Sequence, residues 1–228
     1  MAERSLDLGA LQSLLERVRD LKVACVGDLM LDRYVYGEVS RISPEAPIPV
    51  LRARRTVAMP GGVGNVARNV AALGGQARLG AVAGDDAAGA ELAELIAAEE
   101  RIEDALIRPE GAATIVKTRF VAAGQQLLRL DDEAALHSGY ADKAVFQGAG
   151  AILLSDYAKG VVDDGAIQAA LWAGAEYGAP VIVDPKGRDF ARYGAVDVIK
   201  PNASELAGAT GLPTETDEQV EAALAALL

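Results

Sequence analysis

Three short apolar runs at residues 22–27, 151–155 and 180–184 limit the folds open to this chain more than any other feature. Each reads as a strand covered on both faces, and each ends in Gly, Ser or Asp. Weaker runs of the same kind occupy 78–83 and 196–199. Helical periodicity fills the intervals at 65–73, 86–98, 140–147 and 163–177. Alternation at this spacing predicts an α/β fold: a central, mainly parallel sheet between helices, doubly wound, with ligands outside the carboxyl ends of the strands.

Two stretches break the rhythm. Residues 33–56 contain Pro44, Pro47 and Pro49 and have no helical period, while Tyr34, Tyr36, Ile48 and Val50 suit extended backbone. Residues 113–131 read as two strands joined by a turn near Ala123-Gly124. Together they predict a small β-layer lying against the main sheet. The Ala-rich run 219–228 reads as a helix with no stop signal after it.

Composition removes several functions. The 22 Lys and Arg against 33 Asp and Glu give a net charge of −11, which argues against a sequence-independent nucleic-acid binder. A small anion is still compatible, because a few local cations and backbone N–H groups hold phosphate on an acidic protein. Cys25 is the single cysteine and lies in an apolar run, so a buried hydrophobe is expected rather than a reactive thiol. His137, the single histidine, sits in a polar stretch and reads as a surface residue. That inventory leaves little for a transition-metal site or for a Ser-His or Cys-His nucleophile. Met1-Ala2-Glu3-Arg4 starts no signal peptide, and no run approaches ~20 uninterrupted apolar residues, so a cytoplasmic protein without a membrane partner is expected.

Five segments carry chemistry. Asp28, Asp32 and Arg33 follow the first strand; carboxylates accept from vicinal hydroxyls and a guanidinium forks onto phosphate, although each also reads as a turn cap or a surface charge. Gly61, Gly62 and Asn65 stand at a helix start where a ligand can approach backbone N–H groups closely, or where Asn65 caps a Gly-rich turn. The same stretch, 62–67, fits the G-x-G-x-x-A dinucleotide fingerprint with Asp85 downstream, which keeps an NAD-dependent oxidoreductase open as an alternative. Lys159 and Lys186 occupy equivalent places after successive strands and put cations over one sheet edge. Asn202 and Glu205, three apart after a fifth strand, suit either Mg²⁺ with phosphate or a helix capping box. No G-x-x-x-x-G-K-[ST] occurs, which excludes a P-loop.

Taken in order, these segments resemble the ribokinase-type, or PfkB, carbohydrate kinases. Gly61, Gly62, Asn65, Ala67, Gly74 and Gly84, followed by Asp85-Asp86 and Gly89, fall in register with that family's first signature. Asp32 stands upstream of it and Asn202 with Glu205 downstream. The stretches 27–34, 40–47, 125–131, 155–160 and 184–187 are similar to those of the heptose 7-phosphate kinases within the family. In many bacteria such a kinase is the amino-terminal half of a bifunctional protein with a heptose 1-phosphate adenylyltransferase.

The resemblance implies a ribokinase-like domain over 1–228, incomplete at its carboxyl end, with a β-lid formed by about 33–56 and 113–131 and a homodimer through the lids. It implies ATP-dependent phosphorylation of D-glycero-β-D-manno-heptose 7-phosphate at the anomeric hydroxyl, toward ADP-heptose and lipopolysaccharide core. Asp28, Asp32, Arg33, Gly61, Gly62, Asn65 and Lys159 would then serve the sugar phosphate; Lys186, Asn202 and Glu205 would serve ATP, with Glu205 toward Mg²⁺. The family's Gly-Ala-Gly-Asp segment, whose Asp is the base, does not occur in the 228 residues, since Gly148-Ala149-Gly150 leads into a strand. Its place is expected beyond Leu228, and the chain alone is expected to turn over little substrate. A different sugar of the same family, or sugar-phosphate binding without catalysis, are the neighbouring alternatives.

Overall fold

The computed structural model describes residues 8–133, 140 and 142–227, so His137 lies outside the described residues. In chain order, α1 (Leu8–Val18) precedes β1 (Lys22–Gly27), β2 (Leu29–Ile42), β3 (Pro49–Gly62) and α2 (Val63–Ala72). Next come β4 (Gln76–Gly80), α3 (Ala87–Ala97), β5 (Ile102–Asp104), β6 (Val116–Ala122) and β7 (Gln125–Asp132). β8 (Ala151–Ser155), α4 (Asp164–Tyr177), β9 (Val181–Asp184), β10 (Val198–Ile199), α5 (Ala203–Thr210) and α6 (Asp217–Leu227) complete the described residues.

β1 shows why the main sheet is covered on both faces. Val23 and Cys25 join one apolar cluster, Ala24 and Val26 the other, and all four are buried. Such a strand has no solvent face and must lie inside a sheet flanked by helices. Burial also pushes the Cys25 thiol up to about 12, so it stays neutral and packs as a hydrophobe. The sheet order is β10-β9-β8-β1-β4-β5, and every pair in it is parallel. From β1 the chain winds outward to β4 and β5, then returns to β8 on the other flank. The topological switch therefore falls between β1 and β8, where open α/β sheets form their ligand crevice.

A second sheet has the order β3-β2-β6-β7, with β2 antiparallel to β3, parallel to β6, and β6 antiparallel to β7. Its β2 begins at Leu29, one residue after β1 ends, so Asp28 alone separates the two sheets along the chain. The turn Ala123-Gly124 joins β6 to β7 with both residues at positive φ.

The sequence overstates three elements. The run 78–83 is realised as β4 ending at Gly80, with Val82 adding only an isolated bridge to Ile107. Among the described residues of 140–147, a single 3₁₀ turn at Lys143–Phe146 forms, started by the Asp142 side chain accepting from the Ala144 N–H and ended before Gly148 at positive φ. The run 196–199 contracts to Val198–Ile199. Among the described residues, no helix is long and apolar enough to cross a membrane.

Candidate active site

Asp28 is the pivot of the crevice. It is fully buried, and its carboxylate accepts from the N–H groups of Tyr157 at 2.7 Å and of Lys159 and Val161, each at 3.1 Å. Burial pushes its carboxyl above the ordinary aspartate value; the three N–H bonds oppose that rise and Asp156 adds to it. Asp156 accepts from the Ala158 N–H at 2.6 Å, and Ala158 sits at φ +58°. Two carboxylates thus bind the amides of 157, 158, 159 and 161 and fix a loop that Ala158 alone would resist. The expected sugar ligand Asp28 therefore faces inward, and its oxygens are spent on the loop that carries Lys159.

That loop is tied to the next one. Tyr193 O–H donates to Asp156 at 2.8 Å, and its oxygen accepts from the Lys186 N–H at 3.1 Å. Burial pushes the Tyr193 hydroxyl up to about 12, so it remains a donor. Arg192 adds a 3.1 Å contact to Asp156 and donates to the Val162 carbonyl at 2.9 Å. The backbone segments bearing Lys159 and Lys186 are joined through one buried hydroxyl.

Strand alternation decides which side chains of β2 face the crevice. Asp32 stands opposite Met59 and Lys117, and Tyr34 opposite Val57 and Arg119, so all of these share one face. Asp32 accepts from Arg119 at 2.5 Å, and this bond is the main reason the guanidinium is held above its ordinary value. Lys117 meets Asp131 at 3.2 Å and also Glu133, while Glu133 reaches Lys159 at 2.5 Å. The second sheet and the strand ends of the first meet across these charges.

Arg33 points the other way. Its guanidinium pairs with Glu91 of α3 on the opposite face of β2. The structure does not bring Arg33 to the Asp32 face, because neighbouring residues of a strand project to opposite sides. Lys117, Arg119 and Glu133 occupy the Asp32 face instead. The signal for the two cations was the alternation Lys117-Thr118-Arg119 inside a predicted strand, which sets both on one face, and nothing local pointed to Glu133.

Gly61 and Gly62 bring backbone to this face. A Cβ on Gly61 would lie 2.2 Å from an Asp32 carboxylate oxygen, and one on Gly62 would lie 2.2 Å from the Asp28 carbonyl. Gly62 also has φ +58° and is itself the N-cap of α2. Asn65 is therefore not a cap; it stands exposed in the first turn, beside Arg68 and Asn69, with no hydrogen bond to the Asp32 cluster. The dinucleotide reading fails here, because β3 is a strand of the second sheet and not the parallel strand that fingerprint requires.

Farther along the sheet edge, Lys186 Nζ meets Glu205 at 3.1 Å, and Lys200 meets Asp184 at 3.0 Å. Asn202 and Glu205 form a reciprocal capping box on α5, each side chain accepting the other's backbone N–H at 2.9 Å. One Glu205 oxygen thus serves the cap and the other Lys186. Tyr157 lies between the two ends of the site; burial raises its hydroxyl, and the negative charges of Asp184 and Asp32 raise it further. No group of three carboxylate, His or Cys ligands that could hold a metal occurs among the described residues. This donor set fits Mg²⁺ carried on nucleotide phosphates and water, as is usual for that ion, with Glu205 offering one carboxylate at most.

A parallel sheet whose switch-point crevice is covered by a small second sheet, with a Gly-Gly turn starting a helix at its rim, defines the ribokinase-like class of fold. The chain belongs to the pfkB family of carbohydrate kinases, whose model matches residues 20–228. It is 50% identical over 220 residues to the bifunctional protein HldE of Rhodospirillum rubrum, covering 92% of this chain and 44% of that protein. With the bifunctional protein HldE of Hyphomonas neptunium it shares 47% over 222 residues, covering 94% and 46%. The chain thus spans about half the length of the curated relatives it matches. Among solved structures, the tetrameric inhibited form of Escherichia coli phosphofructokinase-2 superposes with a TM-score of 0.64 at 26% identity, covering 90% of this chain and 68% of that one. Arabidopsis thaliana ribokinase complexed with ribose and ATP gives 0.61 at 23%, covering 91% and 67%, a likeness of fold alone.

Proposed function

We propose that the protein serves the ATP-dependent phosphorylation of D-glycero-β-D-manno-heptose 7-phosphate at the anomeric hydroxyl, giving the 1,7-bisphosphate on the route to ADP-heptose and lipopolysaccharide core, in the cytoplasm. The observation that carries this reading is the cationic face around Asp32, where Lys117, Arg119 and Lys159 converge over the switch-point crevice. With Arg129, these cations outnumber the carboxylates Asp32, Asp131 and Glu133 by one, and a face of net positive charge suits a sugar phosphate better than an unphosphorylated sugar. The heptose assignment is supported by identity near 50% to HldE proteins and by the motif stretches shared with heptose 7-phosphate kinases.

In this reading Asp32 accepts from sugar hydroxyls, held in place by Arg119, while the backbone at Gly61-Gly62 lets the sugar approach. Asn65 adds an amide from the helix start. Lys117, Arg119 and Lys159 bind the sugar's own phosphate, and Arg33, paired with Glu91 on the other face, has no part in it. ATP bound with Mg²⁺ would supply the phosphoryl group. Lys186 neutralises charge on the nucleotide phosphates, and Glu205, fixed by its capping box with Asn202, holds that lysine and faces the hydrated ion. Asp28 shapes the site from beneath. No Gly-Ala-Gly-Asp segment, the family's source of the base, occurs among the 228 residues, and the residues named here serve to bind the sugar phosphate and the nucleotide.

The second sheet acts as the lid. Leu128 and Leu130 on its Arg33 face are 60% and 55% exposed, and they support a homodimer through this sheet. Leu128→Glu should then shift the mass in solution to that of a monomer.

Calorimetric titration with heptose 7-phosphate, hexose 6-phosphates and unphosphorylated heptose tests the substrate. Preference for heptose 7-phosphate is expected, and preference for a ketohexose phosphate would overturn the assignment.

A further inference from the structure

Glu133 has no role in the reaction proposed above, yet it holds the two most important lysines. Its carboxylate lies between Lys117, which projects from β6, and Lys159, which projects from the loop after β8. The two ammonium groups hold its carboxyl below the ordinary glutamate range, Lys117 first and Lys159 second. Glu133 thus ion-pairs the second sheet to the strand ends of the first. One small anionic group bridging two lysines is the arrangement a phosphate monoester adopts.

We propose that Glu133 is an internal phosphate mimic: it closes the Lys117–Lys159 subsite to free inorganic phosphate and yields only to a phosphate tethered to a sugar. Charge balance supports the exchange. Lys117, Arg119, Arg129 and Lys159 face Asp32, Asp131 and Glu133, four cations against three carboxylates. With Glu133 withdrawn, two positive charges are left uncompensated, which matches a phosphate dianion. Geometry supports it as well. Glu133 is 29% exposed and can turn out to water, whereas Lys117 is 14% exposed and stays held by Asp131. Free phosphate has to displace a covalently tethered carboxylate with no other contact to offset the loss. A sugar phosphate gains the Asp32 and Gly61-Gly62 contacts at the same moment, and that tips the exchange.

This inference rests on the sugar-phosphate reading, but inorganic phosphate alone tests it separately. Titrating the protein with inorganic phosphate by calorimetry at low salt should show affinity about 3- to 10-fold tighter for Glu133→Gln than for the unaltered protein, as expected when a partly exposed competing ion pair is removed. Glu133→Asp, too short to span both lysines, should fall between them. Adding Lys117→Gln to Glu133→Gln should abolish the gain. Phosphate affinity unchanged or weakened in both folded Glu133 variants would overturn the proposal. Failure of heptose 7-phosphate to bind the unaltered protein would instead sink the substrate reading and leave the phosphate comparison standing.

Discussion

Replacing Asp28 by Ala should destabilise the protein severely and loosen the site with it. The change leaves the N–H groups of Tyr157, Lys159 and Val161 without their acceptor, the last of them in a buried hydrogen bond. An orphaned buried donor costs about 1–3 kcal/mol. Three of them would cost up to about 9 kcal/mol if nothing moved, and loop relaxation with water entry should reduce this to about 3–5 kcal/mol. In a chain of this length each kcal/mol is worth about 2–4 °C, so the melting temperature should fall by about 6–20 °C. Asp28→Asn keeps one carbonyl oxygen but turns an NH₂ toward N–H donors, and should cost roughly half as much. Scanning calorimetry on the three proteins reads the order directly. Melting temperatures within 2 °C of one another, or an Ala variant more stable than the Asn variant, would refute the view that Asp28 is spent on the loop.

Gly61→Ala should lower sugar-phosphate affinity about 10-fold and cost stability as well, because its Cβ would displace Asp32 and crowd the buried Met30; equal affinity by calorimetry would contradict this. Tyr193→Phe removes the hydroxyl shared by Asp156 and Lys186, and should cost about 1–3 kcal/mol in chemical denaturation, with wild-type stability the refuting result. Stability should fall in acid through Glu133 and Asp86. The Glu133 carboxyl is depressed by Lys117 and Lys159; for Asp86 burial works upward, but bonds from Thr114 and the Gly89 N–H prevail. A depressed folded value means the unfolded chain binds more protons in that interval, so their contribution is complete above the ordinary carboxylate values of 4.5 and 3.8 and is lost as pH falls through the folded ones. Asp28, whose carboxyl is raised, acts with the opposite sign. Removing Asp86 should flatten the acid limb of a denaturation series from pH 6 to 3, and an unchanged slope would contradict the assignment.

The parallel sheet was legible because its strands are apolar on both faces, as Val23 through Val26 illustrate, and no other element tolerates that pattern at such length. The hairpin at Ala123-Gly124 was legible from turn chemistry. Less of the site could be read. Asp28, Asp32 and Arg33 look equivalent as residues near a strand end, but the backbone sends one inward, one to the crevice and one to α3. That partition depends on β2 resuming immediately after Asp28, so alternation applies where a loop was expected. Lys117 and Glu133 acquire meaning only through the pairing of β6 with β2 and through Lys159, 42 positions from Lys117 in the sequence. Local pattern carries no information about such distant partners.

In the proposed function, sugar phosphate binds on the Asp32 face of the second sheet. Calorimetric titration of heptose 7-phosphate into Arg119→Ala and Arg33→Ala tests it most directly, since the two guanidinium groups lie on opposite faces of that sheet. Losing a charge-assisted contact and the support of Asp32 should weaken binding by about 10- to 100-fold in Arg119→Ala. Arg33→Ala loses only its pair with Glu91 and should bind within about 3-fold of the unaltered protein. Loss of binding in Arg33→Ala with Arg119→Ala unimpaired would place the ligand on the other face and contradict the account.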